Sequence, residues 1–223
     1  MVRVSEIINK AVNCPRCGEK SMEDIVCSMN TVKEPQIREK LFDDSFFEWK
    51  CPKCGYRTTM LHPLLYSDLK RRFMVYFIPN VERSQIADEK IENEYAELKD
   101  IKKRIVPNVN ALKEKIFLLE NGYNDMACEL SKLAVAEVVS KSTGQNVHDG
   151  YCTEIDRTEN TITFQFFIGS DHRSLLQTTR YDVYQRSMGI VKEYFADIDT
   201  KKGFLNIDQS WAKEALRRYK TSD

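Results

Sequence analysis

Net charge is the first thing this chain lacks: 34 basic side chains are matched by 34 acidic ones. No overall positive field draws it toward nucleic acid or an anionic membrane, and electrostatics alone names no partner. Long apolar runs are missing too. None approaches the ~20 residues that a bilayer-spanning helix needs, so no membrane insertion is expected. The run Met1-Val2-Arg3-Val4-Ser5-Glu6 has no apolar core of the secretory kind, and a cytoplasmic location is expected. Proline is absent after Pro107, a change of composition that places a domain boundary nearby. Recognisable catalytic motifs are missing throughout.

What is present describes an ordinary globular protein of 223 residues, 42% hydrophobic and 30% charged, long enough for one large domain or two small ones. Two are expected. Of seven cysteines, Cys27, Cys128 and Cys152 are scattered singly, whereas four fall in repeated pairs. An odd count with paired spacing suits a reducing compartment and one metal site better than a disulfide framework.

The pairs are Cys14-Pro15-Arg16-Cys17-Gly18 and Cys51-Pro52-Lys53-Cys54-Gly55, the same turn written twice. Two cysteines separated by two residues set both sulfurs on one side of a tight turn, and two such turns supply the four thiolates of a tetrahedral structural zinc. A redox dithiol of the thioredoxin kind uses the motif once, normally at the start of a helix; here each pair is followed by glycine and strand-like residues. The expected ligands are therefore Cys14, Cys17, Cys51 and Cys54, and the expected cofactor is structural zinc. Glycine after the second cysteine leaves room for amide N–H groups to approach the sulfurs.

The interval between the pairs is longer than in the plain pattern, so it must hold structure of its own. Met22, Ile25, Val26 and Met29 suggest a strand, beside which Cys27 packs as a small buried thiol rather than a fifth ligand. Pro35 opens a short helix to Phe42, and Phe46 to Lys50 reads as the strand delivering the second pair. Tyr56 to Tyr66 and Phe73 to Ile78 are further strands joined through 67–72. Residues 1–81 thus read as a zinc-ribbon-like domain. So small a sheet draws much of its folding free energy from the metal, on the order of 10 kcal/mol.

These two Cys-Pro-basic-Cys-Gly turns, with Leu64-Leu65-Tyr66-Ser67-Asp68 and the strand from Phe73 to Pro79, resemble the CpXC domain family, named for its two Cys-Pro-Xaa-Cys motifs. The resemblance covers roughly residues 10 to 80. It implies metal binding and a recurring domain, and supplies neither a reaction nor a partner.

From Ser84 to Val106, Ile91, Tyr95, Leu98, Ile101 and Ile105 recur at helical spacing, with acids early and bases late as a helix dipole favours. Residues 82–106 are read as a charged amphipathic connecting helix; a short homo-oligomeric coiled coil is the sharper alternative. Residues 107–223 are read as an α+β domain. Leu112, Ile116 and Leu119 mark one helix, ended at Asn121-Gly122, and Met126, Leu130, Leu133 and Ala134 mark the inner face of a second. This pair compares with a helix-turn-helix, yet Glu129, Lys132 and Glu137 would repel phosphate as often as attract it, so an ordinary helical hairpin is expected. A β-hairpin over 151–168 buries Ile162, Phe164, Phe166 and Ile168. A polar loop, a helix through Tyr184, Met188, Val191 and Phe195, a short strand Phe204 to Ile207 and a last helix capped by Asp208 and packed through Trp211, Ala215 and Tyr219 complete the chain.

Outside the cysteine pairs, His148-Asp149, Cys152 and Asp171-His172 can be drawn as a catalytic constellation, but nothing in the sequence gives them an oxyanion site or a base within reach, and polar loop residues are the plainer reading. Lys70-Arg71-Arg72 beside Phe73, Tyr76 and Phe77 could serve a nucleic acid, although neighbouring strand residues point to opposite faces. The expectation is a zinc-stabilised, non-enzymatic module whose partner is a protein. A zinc-ribbon nucleic-acid binder is the alternative, and an enzyme sited in the C-terminal half a second one.

Overall fold

The first cysteine turn is carried by two strands that alternate side chains across a narrow ribbon. Ile7–Asn13 (β1) pairs antiparallel with Lys20–Val26 (β2), from Ile7 opposite Val26 to Asn13 opposite Lys20. A second, shorter ribbon repeats the design around the second turn, with Glu48–Lys50 (β4) against Arg57–Thr59 (β5). The computed structural model describes residues 6–30, 35–80, 101–198 and 203–222. Its compact units are Met1–Lys113 and Glu114–Asp223, and the architecture is α+β. Among the described residues no helix is long and apolar enough to cross a membrane.

The N-terminal unit also holds a four-stranded mixed sheet. Ser28–Asn30 (β3) runs parallel to Leu64–Asp68 (β6), which pairs antiparallel with Phe73–Phe77 (β7), which in turn lies parallel to Lys102–Val106 (β8). Of its strands β7 is a continuous apolar run and β6 begins as one, as strands buried on both faces require, whereas β3 and β8 carry polar and basic residues. Leu64, Tyr66, Phe73, Val75 and Phe77 are fully buried, and Tyr66 stacks on Phe73 with centroids 5.9 Å apart. Pro35–Phe42 (α1) forms where expected and buries Leu41. Lys113 ties the turn behind it, reaching the Phe42 carbonyl at 3.2 Å and the Asp44 carboxylate at 2.6 Å.

In the C-terminal unit, Asp125–Thr143 (α3) lies in one core with a three-stranded antiparallel meander, Val147–Asp156 (β9), Thr161–Ile168 (β10) and Arg173–Arg180 (β11). Val109–Glu120 (α2) leads into it, and Asp182–Tyr194 (α4) and Gln209–Ser222 (α5) close it. Ile162, Phe164, Phe166 and Ile168, alternating along β10, are all fully buried, as their spacing predicts. Asn124 caps α3 by accepting from the Ala127 amide at 3.1 Å, and Gly122 ends α2 in the left-handed region. Asp208 caps α5 through the Trp211 amide at 2.8 Å.

Several sequence expectations differ from the structure: Phe46 and Phe47 lie in a short 3-10 turn before β4, and the strand expected over Tyr56 to Tyr66 is divided between β5 and β6, which belong to different sheets. Of the connecting helix expected over 82–106, residues 82–100 lie outside the described residues, and its expected last turn is instead the strand β8. Ile105 and Val106 are both buried, on opposite faces of the sheet, and the proline after Val106 disfavours helical backbone there. The loop expected after Ile168 contains a full strand, β11. Leu175, Gln177 and Thr179 are half-buried while Ser174, Leu176 and Thr178 are exposed, so its inner face is too polar to show a two-residue hydrophobic period. Ala134 is exposed rather than inward, because α3 turns its Val135 and Ala136 to the core. Phe204 to Ile207 makes only an isolated bridge at Leu205.

Candidate metal centre

Each cysteine turn is built by the same two backbone bonds. The Cys14 amide donates to the Glu19 carbonyl at 2.8 Å and the Gly18 amide to the Cys14 carbonyl at 2.9 Å; Cys51 to Tyr56 at 2.8 Å and Gly55 to Cys51 at 3.0 Å repeat them. Gly18 and Gly55 sit at φ 71° and 70°, which explains why glycine follows the second cysteine of each pair: a Cβ is disfavoured in that left-handed conformation. The amides expected near the sulfurs are there as well, those of Arg16 and Cys17 facing the Cys14 sulfur and that of Glu19 facing Cys17.

The two turns face each other and bring four sulfurs within 4.8 Å of one another. The near pairs cross between turns: Cys14 Sγ to Cys54 Sγ is 3.7 Å and Cys17 Sγ to Cys51 Sγ is 3.7 Å. All four are free thiols, at a spacing far beyond the ~2.05 Å of a disulfide. A tetrahedron with metal–sulfur bonds of about 2.3 Å has edges of about 3.8 Å, so these residues fit a four-coordinate ion of zinc's preference. The acidities agree with an unmet need for positive charge. Burial raises the Cys14 thiol, but the Cys17 and Arg16 amides outweigh it and bring it down to about 7. The Glu19 amide lowers Cys17, yet burial and the neighbouring thiols push it up to about 12. One thiolate forms readily and its neighbour resists, a conflict that a dication at the centre removes.

Packing covers one side of the centre and leaves Cys17 exposed on the other. Cys14 and Cys51 are buried against Trp49, with Val12, Cys54, Tyr56 and Met60 around them. Glu19 and Lys53, one from each turn, form an ion pair at 2.9 Å, and that carboxylate keeps Lys53 protonated above the usual lysine range. Cys27 lies outside the sulfur cluster and is half-buried, its thiol directed at the Ile25 carbonyl at 3.8 Å.

The remaining sequence candidates separate. His148 and His172 come together, ring centroids 4.7 Å apart, both exposed. Cys152 does not join them as a reactive group: it is buried in the core, its thiol toward the Glu154 carbonyl. Asp149 accepts from the Gly150 amide and from the Tyr151 hydroxyl. At the β6–β7 turn, Arg71 is bound to the buried Asp68 at 2.7 Å, and Phe73 and Phe77 are buried, leaving Tyr76 alone partly exposed among those rings.

What the sequence did not disclose is a buried charge cluster in the C-terminal unit. Lys132 Nζ binds both oxygens of Glu114 at 2.9 Å and Glu129 Oε1 at 2.9 Å; Lys115 Nζ binds Glu129 Oε1 at 3.1 Å and Asp125 Oδ2 at 3.4 Å. The Cys152 amide donates to Glu114 at 2.6 Å, and all five charged side chains are buried. Three carboxylates face two ammonium groups. Desolvation dominates Glu114 and pushes its pKa up, whereas the two lysines overcome the burial of Glu129 and hold it down. Glu129 and Lys132, spaced three apart, had the look of a solvated helix face. No periodicity distinguishes such a pair from an exposed one; only the partners on α2 do.

A family model described as CpXC protein matches residues 12–132, more than half of the chain. The match runs well past the two cysteine turns and takes in every member of the buried charge cluster. Comparison with curated proteins and with solved structures found no match.

Proposed function

The chain belongs to the CpXC family, and from that membership and its assembled sulfur cluster we propose that it is a zinc-stabilised binding module, with Cys14, Cys17, Cys51 and Cys54 as the four ligands of a structural ion. The observation that carries this reading is the crossed 3.7 Å sulfur spacing, which matches a tetrahedral edge before any ion is placed. The ion supplies cross-linking and charge neutralisation. Four protein thiolates leave no coordination position for water or substrate, which favours a fastener over a catalytic metal.

The partner is a protein. Supporting this, one face of the β1–β2 ribbon presents Ile7 at 55% and Met22 at 61% exposure to solvent, with Ile8 at 43% on the other face, on the strands that carry the first cysteine turn. A ribbon this narrow cannot cover its own apolar residues, and such exposed groups are a contact surface for another chain.

The metal assignment is tested by measuring zinc per chain on purified, reduced protein, with and without Cys51→Ser and Cys54→Ser. About one zinc per chain, falling to near zero in the double variant, is expected. Zinc content unchanged by those substitutions overturns the assignment.

A further inference from the structure

A second set of metal-binding groups stands at one end of the C-terminal meander, away from the cysteines in sequence and built by different means. His148 lies near the start of β9, and His172 lies in the turn between β10 and β11. Their backbones are locked together. The Gly169 amide donates to the Asn146 carbonyl at 3.1 Å, the His172 amide donates to the Gly169 carbonyl at 3.2 Å, and Ile168 pairs with Val147 in the sheet register. His172 itself adopts φ 50°, a left-handed conformation uncommon for residues other than glycine. The result is two imidazoles with centroids 4.7 Å apart and planes inclined by 36°.

That separation is the one a shared ion requires. With metal–nitrogen bonds of about 2.0 Å, each ring centroid stands about 3.2 Å from the metal. Two rings on one ion are then about 4.5 Å apart at a right angle and about 5.2 Å apart at the tetrahedral angle. The observed distance falls between these limits. Both residues are exposed, so each ring can rotate about its side-chain torsions to turn one nitrogen toward the other.

We infer that His148 and His172 form a two-imidazole clip for a borderline divalent transition ion, of the class of Ni²⁺, Cu²⁺ or Zn²⁺, which holds the ion at the protein surface with its other coordination positions open to water or to a further ligand. Imidazole is the side chain these ions share a preference for, and calcium and magnesium, which take oxygen ligands, are excluded. The third histidine provides an internal control. Each of its ring nitrogens already faces a backbone carbonyl, Met60 at 3.1 Å and Val26 at 3.2 Å, so His62 has no nitrogen to offer.

The test uses untagged full-length protein, loaded with one equivalent of zinc and carbon-13 labelled, so that the three histidines each give a ring C–H signal. Paramagnetic nickel chloride is added in substoichiometric steps. The His148 and His172 signals should broaden together at the same nickel ratio while His62 stays sharp. Replacing either by alanine, His148→Ala or His172→Ala, should weaken nickel binding by about tenfold or more, because the second ligand no longer acts within one molecule. Broadening of a single histidine, equal broadening of all three, or nickel affinity unchanged in both alanine variants overturns the inference. The readout belongs to the histidines, so it stands or falls independently of what the cysteines hold.

Discussion

At the scale of single residues, Lys132 is the side chain on which most depends in the C-terminal unit. It neutralises two buried carboxylates, Glu114 and Glu129, and with it gone both remain in the core with only Lys115 in reach. Breaking a buried ion pair from one side costs about 3–5 kcal/mol. Lys132→Met should therefore lower the unfolding free energy of this unit by about that amount, measured by urea denaturation. The pH dependence has a definite sign. Burial pulls Lys115 and Lys132 down, but the carboxylates around them win and raise both, Lys132 strongly. A lysine raised in the folded state contributes stability that is complete below its unfolded pKa of about 10.4 and is lost as pH rises through the folded value. Denaturation followed above that pH should show stability falling in the native chain. On the acid side the two glutamates oppose each other. Glu129, held down, loses its contribution as pH falls through its folded pKa, while Glu114, pushed up, gains relative stability in the same direction.

At the scale of elements, the ends of helices and the turns of strands were plain in the sequence, and the polar interiors were not. Asn121-Gly122 ends α2 and Asp208 caps α5 by chemistry that is local, a left-handed glycine and a side-chain cap. Asn124→Ala should cost about 1 kcal/mol, read from the thermal unfolding of the C-terminal unit. The apolar alternation of β10 was equally legible, and so were the two cysteine turns, since spacing and glycine placement suffice to specify them. By contrast β11 has no hydrophobic signature, because as the outer strand of its sheet it presents glutamine and threonine even on its half-buried side. The charge cluster was hidden for a related reason: a salt-bridged core position and a solvated one use the same residue types. Gly150 shows a third kind of hidden constraint. A Cβ there would meet the buried Phe166 ring, with Cε1 at 2.6 Å. Gly150→Ala should destabilise by about 1–3 kcal/mol, whereas Gly189→Ala, unobstructed and inside a helix, should stabilise by up to about 1 kcal/mol; opposite signs would distinguish the clash from a general cost of replacing glycine.

At the scale of the whole molecule, the cysteine-bearing ribbons and the C-terminal unit draw on different sources of stability. The C-terminal unit has a large apolar core, in which α3, β9, β10, α4 and α5 all take part. The cysteine-bearing ribbons have only Trp49 and a few neighbours. Chelation under reducing conditions should accordingly strip hydrogen-exchange protection from β1, β2, β4 and β5 and leave β9 and β10 protected; equal loss everywhere would contradict this division of labour. Trp49 gives a second view of the same event. With Trp211→Phe removing the other indole, cobalt in place of zinc should quench the remaining tryptophan fluorescence, since Trp49 packs directly on Cys14 and Cys51. The crossing of the sulfur pairs, first cysteine of one turn to second cysteine of the other, has a consequence in time as well as in structure. Each turn alone is a weak bidentate chelator, but once either has captured an ion the other finds it at an effective concentration in the millimolar range, set by the intervening chain. Release then demands that both turns let go within one recapture interval. A centre made of two easily dissociated halves therefore exchanges its ion slowly, and it does so fastest when something pries the ribbons apart.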